Sequence, residues 1–292
     1  MIYTISNAQL KASVTKTGTE LSSVKSQASD LEYIWQADSS VWGSHAPVLF
    51  PIVGGLKNGE YRFDGDLYEM PKHGFVRYND EIKLIQQTDE SLLFSLSWNA
   101  DSLKKYPFKF EFRTLYSLQG STISIEHTVI NHGDQKMYFS LGGHPAFNCP
   151  LFEGESYSDY YLEFDQREKA PAYLLDESGL VSEKTLNLLD ESKTLQLHKH
   201  LFDDDALIFR DLKSRQVKLV SSRIGDILSM TYEDFPYLGV WAKPGAPFVC
   251  IEPWQGIADS ADSTQDLTEK EGILSLGAGE RHQASYSITF HK

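Results

Sequence analysis

The chain has 292 residues, 41% of them hydrophobic and 23% charged, with a formal net charge of −14. That composition is ordinary for a soluble globular protein, and the acidic balance argues against nucleic acid or an anionic membrane surface as partner. No apolar run reaches the roughly 18 residues of a membrane-spanning helix, and the opening MIYTISNAQLKASV has neither the basic nor the apolar region of an export signal. Two cysteines, Cys149 and Cys250, in a chain read as lacking such a signal point to reduced thiols and a cytoplasmic location.

Short alternating segments separated by turn residues dominate the chain. Residues 10–15 (LKASVT) and 20–26 (ELSSVKS) alternate around a KTG turn. The stretch YRFDGDLYEM, 61–70, reads as a hairpin, with Asp64-Gly65 between runs rich in Tyr, Phe and Leu. Further strands are expected at 92–98, 108–117, 122–130 and 136–141, and in the C-terminal half at 217–221, 227–232, 237–242, 247–252 and 284–290. Helical turns are expected only near 101–105 and at 263–271, where Ser263 is the candidate cap. No fixed-period repeat and no Ser/Gly or Pro linker divides the chain. The expected architecture is all-β: one domain, 1–292, forming a large, mainly antiparallel β-sandwich of two packed sheets.

Four stretches place titratable groups beside turn chemistry or inside apolar strands: MPKHGFVR (70–77), LGGHPAFNCP (141–150), LFDDDALIF (201–209) and FVCIEPWQG (248–256). His144 follows two glycines and precedes Pro145, so it belongs at a strand end rather than in a helix. The glycines allow a tight turn or a close approach of backbone to a neighbour. Glu252 ends an apolar run and is locked by Pro253. Partial desolvation there raises a carboxyl pKa and makes it a better base near neutrality. His198 and His200 in LHKHLFDDD would share a strand face and suggest a metal pair. However, they lack a cysteine cluster or a His-Glu-x-x-His frame and read as a charged exposed segment. His127, at an alternating position, reads as a hydrogen-bonded core or rim residue. No phosphate-cradling loop, nucleophile elbow or dinucleotide fingerprint is present.

In this order, with APVLFPIVG (46–54) before them and GIAD after the last, these stretches resemble the aldose 1-epimerase (galactose mutarotase) family, and more closely its LacX-like branch. The resemblance implies a β-supersandwich, an open sugar pocket, and no metal or organic cofactor. It makes His144 the general acid, Glu252 the general base, His73 a second pocket histidine, and Asp205 or its neighbour Asp204 a partner for sugar hydroxyls. Trp241, Trp254 and Phe147 adjoin the proposed acid and base and are candidates for stacking on a pyranose. Members of the family usually carry an arginine where this chain has Gly55, within VGGLKNG (53–59). Lys57 and Arg77 are candidate replacements, though neither is its equivalent in geometry.

The chemistry suits these residue types independently of the resemblance. A cyclic aldose is a hemiacetal, and its anomers interconvert when a base removes the C1 hydroxyl proton while an acid protonates the ring oxygen. One carboxylate and one imidazole suffice. The expected function is anomer exchange on a hexose, free or phosphorylated. The rivals are a carbohydrate-binding or sensing protein with little turnover and, less well supported, a glycoside hydrolase, which would need two carboxylates. Oligomeric state is not readable from the sequence.

Overall fold

In the computed structural model, which describes residues 1–291, strands account for most of the regular structure. Fifteen of them form one antiparallel sheet. Its order runs from Val48–Leu49 through Leu141–Gly143, Phe248–Gln255, Tyr237–Trp241, Leu207–Phe209 and Tyr160–Leu175. It continues through Gln216–Ser221, Gly225–Thr231, Arg281–Phe290, Thr122–Asn131, Phe110–Gln119 and Ser91–Ser97 to Lys83–Gln87. Twisted sheets of this width curl rather than stay flat, and here residues near the two ends of the order meet. Phe50, next to the first strand in the order, stacks 4.7 Å from Phe112, near the last. A three-stranded sheet, Ile2–Ser6, Leu10–Thr15 and Leu21–Ser26, and two small two-stranded pairs, one a hairpin and one joining distant segments, complete the architecture.

Local chemistry explains the elements. Phe110–Gln119 and Thr122–Asn131 alternate buried and half-buried residues along their length. They are joined by a two-residue turn whose Gly120 has φ 58°. The 61–70 hairpin forms as expected from Glu60–Phe63 and Asp66–Glu69. Asp64 and Gly65 both take positive φ, the requirement of the turn whose twist matches the strands. Residues 136–141 do not form one strand. Met137–Phe139 pairs with Leu274–Leu276, and Leu141–Gly143 joins the large sheet. Between them the Ser140 N–H donates to Pro51 O at 2.6 Å. The helical turn at Ala100–Leu103 is capped by Asn99. In the 263–271 segment only Leu267–Glu269 is helical, and Asp266 rather than Ser263 caps it.

Two 16-residue strands, Tyr160–Leu175 and Val181–Gln196, were not expected from the sequence. Apart from a bridge between Val181 and Ser260, the second pairs among the described residues with the first alone and is largely exposed, so half-polar runs such as LNLLDESK carry no clean alternation. Register shifts along the pair blur the period further.

Candidate active site

A cavity of about 330 Å³ opens on one face of the large sheet. Its floor is the strand Phe248–Gln255, buried along its whole length between Leu141–Gly143 and Tyr237–Trp241. Side chains alternate across a strand, so Cys250, Glu252 and Trp254 share one face. Register places Trp241 opposite Cys250 and Gly239 opposite Glu252 on that same face. A Cβ at Gly239 would lie 2.5 Å from the Trp254 ring, so glycine there seats the indole. Phe147 pairs with Val249 and therefore lies on the opposite face, fully buried in the core. It does not line the cavity, so it is not placed to stack on a sugar.

His144 reaches the floor because of the two glycines before it. A Cβ at Gly142 would meet Trp254 at 2.7 Å, and one at Gly143 would meet the Tyr286 hydroxyl at 2.5 Å. Close packing, not a tight turn, is what these positions require. The His144 N–H then donates to Pro47 O at 3.0 Å. Its ring is sandwiched by Trp42, stacked at 5.2 Å and 25°, and met edge-on by Trp241 at 5.8 Å. His144 Nε2 lies 3.2 Å from Glu252 Oε2. Neither Glu252 Oε2 nor His144 Nδ1 makes an aligned hydrogen bond, although both are buried. Buried polar atoms without partners are uncommon. Here they sit where a ligand would supply the missing contacts.

His73 adopts φ 68°, an unusual conformation for a residue with a side chain. Gly74 follows at φ 72°, and a Cβ there would lie 2.2 Å from Phe50 O, which fixes the HG pair in place. The Gly54 N–H donates to His73 Nδ1 at 3.1 Å. A neutral ring must therefore carry its proton on Nε2. The two imidazoles meet edge to face at 5.6 Å.

Asp205, Arg77, Lys72, Trp42, Trp241 and Trp254 also line the cavity. Both aspartates are exposed, but only Asp205, held at φ 72°, is part of the cavity lining. Lys57 lies outside it too, because its Nζ donates to Ser263 O at 3.1 Å. Arg77 reaches Ser44 Oγ with Nη2 at 3.4 Å, while its buried Nε has no partner. Gly55 does not line the cavity. Its carbonyl accepts from the Asp259 N–H, and its neighbour Gly54 forms the wall.

Burial governs the electrostatics. It pushes the His144 pKa down to about 3, and the nearby Arg77 charge acts in the same direction. It pushes Glu252 well above the carboxylate range; Lys72 and Arg77 partly oppose that rise while Asp205 reinforces it. The Trp254 N–H lies near enough to Glu252 to pull it slightly back without an aligned hydrogen bond. His73 is likewise held neutral, first by burial and then by His144 and the two cations. Both shifts favour the uncharged forms, and the rise at Glu252 runs in the direction its apolar run suggested.

Sequence reasoning missed Trp42 and Lys72. The second was within reach, since it directly precedes His73. Trp42 sits in a polar turn (DSSVWGSH) whose packing on His144 no local pattern announces. The His198/His200 pair does not form a cluster: His200 is exposed and bonds Asp203 at 2.9 Å. His127 is fully buried, with Nδ1 3.1 Å from Thr114 Oγ1.

The sequence profile of the family described as aldose 1-epimerase matches residues 1–273. The plasmid-encoded protein LacX of Lactococcus lactis subsp. lactis is 37% identical over 99% of both chains, and the chromosomal LacX of the same organism 36%. A galactose mutarotase related enzyme from Lactobacillus acidophilus superimposes with a TM-score of 0.95 at 38% identity, covering 100% of this chain and 98% of that one. A galactose mutarotase-like protein from Lactobacillus casei gives 0.93 at 30% identity, covering 100% of both. With profile, sequence and fold in agreement over nearly its whole length, the chain belongs to the aldose 1-epimerase family.

Proposed function

We propose that the protein interconverts the α and β anomers of a hexose by acid–base ring opening and closure, without a cofactor. The observation that carries this reading is the His144–Glu252 pair, its facing atoms 3.2 Å apart and buried at the floor of a monosaccharide-sized pocket. Glu252 is the base for the C1 hydroxyl and His144 the acid for the ring oxygen. The proton that burial keeps on Glu252 has only the short gap to His144 to cross, so the pair needs one proton in total and can act in either direction. His73 Nε2–H and Asp205 are the proposed contacts to sugar hydroxyls, and Trp42, Trp241 and Trp254 supply apolar surface for the ring. Acid–base assistance of this kind contributes about 10²–10⁴-fold per group. Two free, buried cysteines suit a reducing cytoplasm. Anomer-resolved proton NMR on freshly dissolved hexoses, with and without protein, tests the reading. Acceleration supports it, whereas binding without acceleration would assign a carbohydrate-binding protein instead.

A second reading rests on Lys72 and Arg77, neither of which forms an ion pair among the described residues. Two cations without a carboxylate partner, Arg77 bonding only Ser44 and lying over the Tyr78 ring, favour a sugar bearing an anion such as phosphate, which an arginine can hold bidentately. kcat/KM for a hexose and its 6-phosphate, in wild type and Arg77→Ala, separates the readings. A preference for the phosphate that vanishes in the variant supports the phosphorylated substrate. With equal handling of both sugars, the free hexose stands. Gly55→Arg, whose Cβ would meet nothing closer than Gly179 O at 3.4 Å, should then lower KM.

A further inference from the structure

We propose that Cys250, His144 and Glu252 form a binding site for a thiophilic divalent cation such as zinc(II) or cadmium(II), and that the bound ion shuts down the acid–base pair. Cys250 and Glu252 stand two residues apart on one face of the buried floor strand, and His144 approaches from the neighbouring segment. One ligand atom from each lies within 4.8 Å of the other two. A tetrahedral zinc with bonds of about 2.0–2.3 Å spaces its ligand atoms about 3.3–3.6 Å apart. The imidazole and carboxylate, at 3.2 Å, already meet that spacing, and the sulfur needs a shift on the order of 1 Å.

The chemistry of the donors decides the kind of ion. A thiolate, an imidazole and a carboxylate make a mixed set that suits zinc or cadmium and is poor for magnesium or calcium, which take oxygen ligands. Glu252 Oε2 is buried without an aligned hydrogen bond, its nearest polar neighbour being His144 Nε2 at 3.2 Å, so an ion between the two would give both atoms a directed contact. His144 and Glu252 line the cavity, by which an ion would enter, whereas Cys250 is buried and outside that lining. On binding, the proton of the Cys250 thiol and the proton held by the Glu252–His144 pair are released to solvent, and the thiolate and carboxylate stay as ligands. The resulting thiolate and carboxylate place two negative charges against the ion, offsetting the unfavourable field of Lys72 and Arg77.

Binding does not depend on the proposed reaction, but the inhibition does, and the experiment separates them. Cobalt(II) added to the whole protein should produce a thiolate-to-cobalt charge-transfer band that zinc displaces. Cys250→Ala and Cys250→Ser should abolish it, and Cys149→Ala, altering the other cysteine, should keep it. No band in wild type, or a band that survives loss of Cys250, overturns the site. In anomer-exchange assays zinc should inhibit the wild type reversibly. Cys250→Ala, which leaves the acid–base pair in place, should retain activity and need at least about tenfold more zinc. Zinc sensitivity unchanged in Cys250→Ala overturns the inhibitory mechanism. A cobalt band in a protein with no exchange activity would leave the site standing and refute the epimerase reading.

Discussion

Replacing Lys270 with methionine should both destabilise the fold and open the pocket wall. Lys270 Nζ donates to Asp259 Oδ1 at 2.9 Å and to Ile257 O at 2.7 Å, and the two side chains are 2% and 3% exposed. Asp259 is the junction of three loops. Its Oδ2 accepts the Lys57 N–H at 3.0 Å, its own N–H donates to Gly55 O at 2.9 Å, and its carbonyl accepts the Val181 N–H at 2.8 Å. Those loops carry Gly54, Gly179 and Ala258, which line the cavity. Methionine keeps the length of the lysine but leaves a buried carboxylate whose charge nothing balances. Breaking one half of such a pair costs about 3–5 kcal/mol, a large part of the roughly 5–15 kcal/mol that holds a domain folded. In urea, where stability falls by about 1–3 kcal/mol per molar, the midpoint should drop by 1 M or more. The double variant Lys270→Met/Asp259→Asn removes both charges and keeps an acceptor for the Lys57 N–H, so it should recover most of the loss. KM for the sugar should rise in the single variant. A loss below about 1 kcal/mol in Lys270→Met, or a double variant no more stable than the single, would refute this account of the wall.

Three further outcomes follow from the site and its surroundings. Rate against pH should be bell-shaped. The acid limb belongs to the second protonation of the pair, at His144 with its pKa near 3, and the alkaline limb to loss of the last proton from Glu252, whose pKa is raised. The two limbs are properties of the coupled pair, and a rate flat across both would contradict acid–base chemistry here. His127 should make the fold acid-labile: burial lowers its pKa to about 3 from the ordinary 6.5. The stability it permits is therefore complete above 6.5 and lost as pH falls toward 3. His127→Gln should flatten the stability–pH curve by on the order of 4 kcal/mol at the acid end, whereas parallel curves for variant and wild type, measured by urea unfolding, would rule this out. Exhaustive chelation should leave anomer exchange intact or raise it, and loss of activity restored by one specific metal would overturn that expectation.

Much of this was written in the sequence, and the exceptions have physical causes. The Asp64-Gly65 hairpin was legible from its turn residues, and the strands around 110–131 because burial alternates along them. His144 and Glu252 stood out because Gly, Pro and apolar neighbours constrain them locally, and the fold brings the two together. Phe147 misled because adjacency in sequence does not set the face of a sheet; its register with Val249 does. Lys57 misled in a similar way, since a cation in the right loop was drawn off to Ser263. The long edge strand Val181–Gln196 and the contact of Trp42 with His144 depend on packing between distant segments, which no local pattern encodes. The direction of the Glu252 shift was legible from its apolar run, whereas the lowering at His144 depends on how completely the fold buries it.

The central claim is that Glu252 and His144 carry the proton transfers of anomer exchange. Glu252→Gln preserves shape and hydrogen-bonding capacity but cannot take or hold the proton, and His144→Asn does the same for the imidazole. Anomer-exchange rates for wild type and both variants, measured by saturation-transfer NMR on an equilibrated hexose, test this most directly. The account predicts a loss of at least about 10²-fold in each variant, with the double variant little worse than either single one because the residues act as a unit. Wild-type rates in both variants, with the sugar still bound, would contradict it.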